Sequence, residues 1–151
     1  MSFGVYEAKT NDGGIATSVA VTLLNITAPS TAILEITKIR VGQRSTASSE
    51  MNEILVRRMT TASTGTSRTP SPLGAYAASG ATVKDTITAD GSAGATVLDE
   101  GANLVGGWEW VALSEMGRIV VPPSGIIEVR LAQAPAASRT MFCVAEYIEK
   151  G

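Results

Sequence analysis

The sequence predicts an all-β domain: a single β-sandwich of about eight short strands, with a jelly-roll-like topology preferred. Three observations carry that prediction. No apolar pattern at helical spacing lasts three turns. β-Branched clusters bounded by Gly, Pro, Asn and Asp recur from one end of the chain to the other. The clusters are short and follow one another at the close spacing of sandwich domains.

Residues 1–14 are expected to form an N-terminal arm or edge strand, with strand character over residues 3–8, and residues 15–151 the sandwich itself. Phe3 and Tyr6 are candidate anchors in the first segment, because little local core surrounds them. Asn11-Asp12-Gly13-Gly14 then supplies residues tolerant of positive φ, and strands follow near 18–27 and 32–41. In the second of these the apolar face changes sides: Leu34 and Ile36 share one parity, Ile39 and Val41 the other. A β-bulge near Thr37-Lys38 reconciles them.

A strand over 53–60 leads into residues 60–80, rich in Thr, Ser, Ala, Pro and Gly. This stretch is too long for a tight turn and predicts an ordered surface loop, with one helical turn near 73–77. Further strands are expected at 81–88 and 104–113, with Asp90-Gly91 and Glu100-Gly101 as turns between them. Residues 118–121 and 126–131 read as a hairpin-like pair about Val121-Pro122-Pro123-Ser124-Gly125, since two prolines remove two ladder donors. Strict alternation over 126–131 places Ile127, Val129 and Leu131 in the core and Glu128 and Arg130 in water. A last strand over 139–149 closes the domain.

At 151 residues the chain has the size of one domain, with enough surface buried on folding to hold a core without staples. Cys143 is the only cysteine, so no internal disulfide forms. The 12 basic and 14 acidic residues nearly cancel, which disfavours nucleic acid and acidic membranes as partners. Only 17% of residues are charged, and such an exterior repels copies of itself weakly, favouring association. No stretch has the length and apolarity of a spanning helix, and the first residues lack signal-peptide character, so a soluble protein made in the cytoplasm is expected. Asn25-Ile26-Thr27 matches the glycosylation pattern by chance on this reading.

Candidate chemistry is sparse. The chain has no histidine, which removes the commonest general base near neutral pH and most triads and transition-metal sites. Cys143 falls at an alternating position in an apolar strand, as a buried core thiol does. Asp85, Asp90, Asp99 and Glu100 lack calcium-loop spacing and read as turn-forming or solvating residues, and Gly13-Gly14 and Gly106-Gly107 as turns or bulges. No catalytic residue, cofactor or metal is expected, and the chain is read as no enzyme. Trp108 and Trp110 project from one face of a strand, forming either a core layer or an exposed aromatic platform for sugars or a protein partner. Arg57 and Arg58 end a strand, either solvated or at an interface, where arginine's planar fork is favoured.

The order of several features resembles the head decoration, or cement, proteins of tailed bacteriophages. The strand Glu53-Ile54-Leu55-Val56-Arg57-Arg58 runs into Thr60-Thr61-Ala62-Ser63-Thr64-Gly65-Thr66, then Thr69-Pro70-Ser71-Pro72-Leu73. The late Val121-Pro122-Pro123-Ser124-Gly125 turn and a final strand through Glu146-Tyr147 complete a likeness covering residues 15–149. It implies a virion protein on the capsid exterior, bound to the major capsid protein as a homo-oligomer, a trimer being favoured. The candidate interface residues are then Phe3, Tyr6, Arg57, Arg58, Trp108 and Trp110, with residues 1–14 as an arm on the shell or a neighbour. The alternative is a glycan- or receptor-binding sandwich of a phage tail or fibre, with Trp108 and Trp110 as its platform.

Overall fold

A computed structural model describes residues 3–44 and 49–151. Met1 and Ser2, the first two residues of the expected arm, lie outside the described residues. Among the described residues thirteen strands follow in order: β1 (Phe3–Lys9), β2 (Ile15–Thr17), β3 (Val21–Thr27), β4 (Ile33–Gln43), β5 (Met51–Met59), β6 (Thr64–Arg68), β7 (Ser71–Pro72), β8 (Thr82–Ala89), β9 (Ala93–Asn103), β10 (Trp108–Val111), β11 (Ile119–Val121), β12 (Ile126–Leu131) and β13 (Arg139–Lys150). One 3-10 turn, Glu115–Gly117, separates β10 from β11.

The molecule is an all-β sandwich. A seven-stranded sheet runs β10-β4-β13-β1-β7, with β11 also on β4 and β2 also on β13. A six-stranded sheet runs β6-β8-β3-β12-β5-β9. All the pairings are antiparallel. Alternate residues of each central strand turn inward, and Leu24, Ile26, Ile36, Ile39, Val41, Val56, Ile127, Val129, Cys143 and Tyr147 meet in one apolar core. Burying each larger aliphatic side chain contributes about 1.5–3 kcal/mol before entropy is subtracted.

The strand count exceeds the expected eight because β2 and β9 form where no strand was expected and β6 and β7 arise inside residues 60–80. That stretch carries β6 and β7, and residues 73–75 form bends, followed by irregular chain at 76–77, rather than the expected helical turn. The bulge in β4 lies where the parity change places it. Lys38 pairs with Glu146 and Ile36 with Tyr147, leaving Thr37 as the extra residue; its Oγ1 donates to the Glu146 carbonyl at 3.2 Å. Both apolar pairs of β4 are thereby buried.

Four further expectations are corrected. Residues 118–121 and 126–131 are not a hairpin: β11 pairs with β4 in one sheet, and β12 with β3 and β5 in the other. The proline turn crosses between sheets, with Ser124 at φ 58° and Gly125 N–H donating to the Pro122 carbonyl at 2.8 Å. Glu100-Gly101 is not a turn but part of β9, opposite Ile54 and Glu53. The chain turns instead after Asn103, where Gly107 takes φ 76° and donates to the Asn103 carbonyl at 3.0 Å.

Glu128 does not face water. Its carboxylate is fully buried, receiving Arg57 Nε at 2.7 Å and Thr22 Oγ1 at 2.8 Å. Residues 60–63 and 89–92 are tied together over this side of the six-stranded sheet: Gly91 N–H donates to Ser63 Oγ at 3.0 Å, and Asp90 accepts from Arg130 at 2.7 Å. Asp85, read as solvating, is likewise buried, accepting from Asn11 N–H at 2.7 Å and Arg68 Nε at 2.8 Å. Asn25 is buried beside Glu128 in the β3–β12 register, where a sugar has no room.

Candidate assembly surface

Of the two readings of the N-terminal segment, the described part is a sheet strand: β1 pairs with β13 over its whole length, and only the two-residue β7 lies beyond it. Tyr6 is therefore a core residue, not a free anchor. Its ring stacks on Tyr147 with centroids 5.6 Å apart, and its hydroxyl donates to the Ala77 carbonyl at 2.9 Å. Burial pushes its phenol above the ordinary range, with Glu149 adding to the effect. Phe3 is 54% exposed, edge-on to Tyr76 at 6.4 Å.

Arg57 is bound to buried Glu128, and Arg58 Nη1 donates to the Val120 carbonyl at 2.8 Å. Trp108 and Trp110 stand opposite Val41 and Ile39, both inward-facing, and the indoles pack half-buried against the core. Trp108 Nε1 donates to Glu100 Oε2 at 2.8 Å, linking edge strand β10 of one sheet to edge strand β9 of the other. They form a half-buried layer packed against the core at the open side of the sandwich. The six candidates are not gathered into one surface, for β13 and β4 separate β1 from β10.

The most exposed large apolar side chains among the described residues were missed. Leu113 is 99% and Met116 98% exposed on the β10–β11 connection, flanked by Val111 and Val120, each 44% exposed. This connection is anchored. Ala112 N–H donates to the Thr37 carbonyl at 2.9 Å, and Gly117 N–H to the Ser114 carbonyl at 3.1 Å. Arg118 Nη1 donates to Glu35 Oε2 at 2.7 Å. Lys150, the larger influence, and Arg118 together hold the Glu35 carboxyl below its usual range. The signal available in sequence was Leu113-Ser114-Glu115-Met116, two large apolar residues where strand alternation ends.

The outward face of the seven-stranded sheet is built in cross-strand rows. One row is Lys9, Val144, Arg40 and Glu109, and the next is Glu7, Glu146, Lys38 and Val111. Phe142 stands beyond Val144 along β13, with the Arg44 guanidinium 5.4 Å from its ring centroid. Lys9, Arg40 and Arg44 thus surround two half-buried apolar side chains at one end of the face, with Asp12 pairing with Lys9 through its carboxylate and receiving Arg44 at its carbonyl. The 113–116 loop leaves the same sheet at its β10/β11 side, carrying Glu115 with its side chain 85% exposed.

A cleft of about 190 Å³ lies beside Lys9, Thr10, Asn11, Asp12, Arg68 and Thr69, and its lining mixes both charges. Among the described residues, no group of three or more His, Cys, Asp or Glu side chains is placed to hold a metal ion. Cys143 is a fully buried thiol whose ionisation is pushed far upward by desolvation. No helix of the described residues is long and apolar enough to cross a membrane. No protein family, curated protein or solved structure matches the chain.

Proposed function

We propose that this chain is a structural virion protein that binds the outside of a phage capsid as an oligomer, with the major capsid protein as partner and a trimer as the favoured state. Its two-sheet architecture, in which successive strands β2 to β5 alternate between sheets, is consistent with a jelly-roll-like arrangement. The observation that carries the reading is the anchored loop presenting Leu113 and Met116 to solvent. Solvated apolar groups on a held backbone favour contact with another protein, since little ordering entropy remains to be lost on binding. The low-charge exterior points the same way.

The mechanism is mass action. A protein that binds the closed shell and not its separated subunits stabilises the shell in proportion to the logarithm of its concentration over its affinity, and several attachment points strengthen the effect. No cofactor, nucleic acid or membrane enters it. The glycan-recognising alternative draws little support from the indoles, which are half-buried, with one N–H already bonded to Glu100.

Quantitative mass spectrometry of purified virus particles from the source culture tests the proposal. Abundance within a few fold of the coat protein is the expected result. Absence from particles would remove the virion reading, and a few copies per particle would move the assignment to a tail or fibre.

A further inference from the structure

We propose that copies of this chain join head to tail, the 113–116 loop of one seating on the Lys9, Arg40, Arg44, Val144 and Phe142 patch of the next. The inference rests on the reading of the chain as an assembling protein and names the contact between its copies. Loop and patch are complementary in both apolarity and charge. Leu113 and Met116 are bare apolar side chains beside Glu115, whose carboxylate is 85% exposed and lies 3.6 Å from Arg118 Nη2. The patch offers the half-buried side chains of Val144 and Phe142, flanked by Arg40, Arg44 and Lys9, the last paired with Asp12 at 3.3 Å, with Glu109 beside Arg40 in the same row.

A second copy, which brings apolar side chains with a single carboxylate, is thereby favoured over an anionic lipid surface, which Asp12 and Glu109 beside the patch would repel. Apolar burial supplies the affinity, and the Glu115-to-Arg40 attraction sets which surface is chosen. Because loop and patch are different surfaces, the contact is heterologous, and it closes into a ring when the rotation between neighbours divides a full turn. Three copies close such a ring in the favoured state, each contributing one loop and one patch. The loop's backbone bonds to Thr37 and Ser114, and the bond from Arg118 to Glu35, keep it in its bound shape beforehand.

Sedimentation equilibrium of the purified full chain, from micromolar to millimolar concentration, measures the association. A trimer is expected. Leu113→Ser with Met116→Ser should return it to monomer with an unchanged melting temperature, since neither side chain touches the core. Glu115→Arg and Arg40→Glu should each weaken association by roughly tenfold or more, and the chain carrying both should recover it. A wild-type monomer at all concentrations, a dimer, an oligomer indifferent to the loop substitutions, or failure of the double reversal to recover would each overturn the contact. Its fate is separable from that of the virion reading. A trimer absent from particles retains the contact and loses the virion, whereas a monomer abundant on particles does the reverse.

Discussion

Glu128 and Arg57 share a buried ion pair on the side of β12 that faces away from the core, beneath residues 60–63 and 89–92. The carboxylate is fully enclosed and the guanidinium partly so, and the second carboxylate oxygen receives Thr22. Removing one member leaves the other charge without its partner in a poorly solvated place. Glu128→Ala should therefore cost about 3 kcal/mol or somewhat more in urea unfolding at neutral pH. Arg58→Ala, which removes a single bond to the Val120 carbonyl, should cost about 1 kcal/mol. Near-equal losses for the two would mean that water already reaches Glu128. Asn25 extends the same row, with both side-chain polar atoms buried and unpaired, an arrangement that opposes folding.

At the scale of the element, β4 depends on one residue. Thr37 stands out of register, so Ile36 and Ile39, three positions apart, both face the core. Deleting Thr37 would restore strict alternation and turn either Ile39 and Val41 or Leu34 and Ile36 toward solvent. The deletion variant is expected to lose cooperative thermal unfolding, and retention of a sharp transition would show that β4 slips to another pairing. β9 illustrates the opposite dependence. As an edge strand it needs only backbone pairing with β5, and its residues are almost all exposed or half-buried. That is why a stretch of Gly, Ala, Thr, Asp and Glu forms eleven residues of strand without an apolar alternation.

For the whole molecule, charge pairing sets the response to acid. Glu35 is held below its usual range by Lys150 and Arg118, and Glu50 by the Ala136 N–H and then Arg139. In both, the unfolded chain binds protons at higher pH than the folded one does. Their stabilisation is complete above the unfolded carboxylate range and disappears as pH falls through the folded one. Glu53 is raised, chiefly by its contact with Asp99, and relaxes in the opposite direction. With two groups against one, the melting temperature should fall between about pH 5 and pH 3. A constant or rising value over that range would show that the Glu53 and Asp99 repulsion dominates.

How much of this was legible in advance depends on the range of the causes. The all-β class, the inward residues of β12, the bulge in β4 and the buried Cys143 follow from side-chain alternation, which is written in neighbouring residues. The candidate site was far less legible. Tyr6, Arg57, Trp108 and Trp110 are tied up within the fold, whereas Leu113 and Met116, apolar by type, stand in water. Alternation says which residues share a face but not what covers that face. Whether the 122–125 turn closes a hairpin or crosses between sheets, and whether Glu128 meets water or a covering segment, depends on backbone far away in the chain. The amino-acid sequence by itself determined the apolar sides of the alternating strands; only the tertiary structure decided their partners, added edge strands such as β9 that carry no alternation, and settled which surface is left for another molecule.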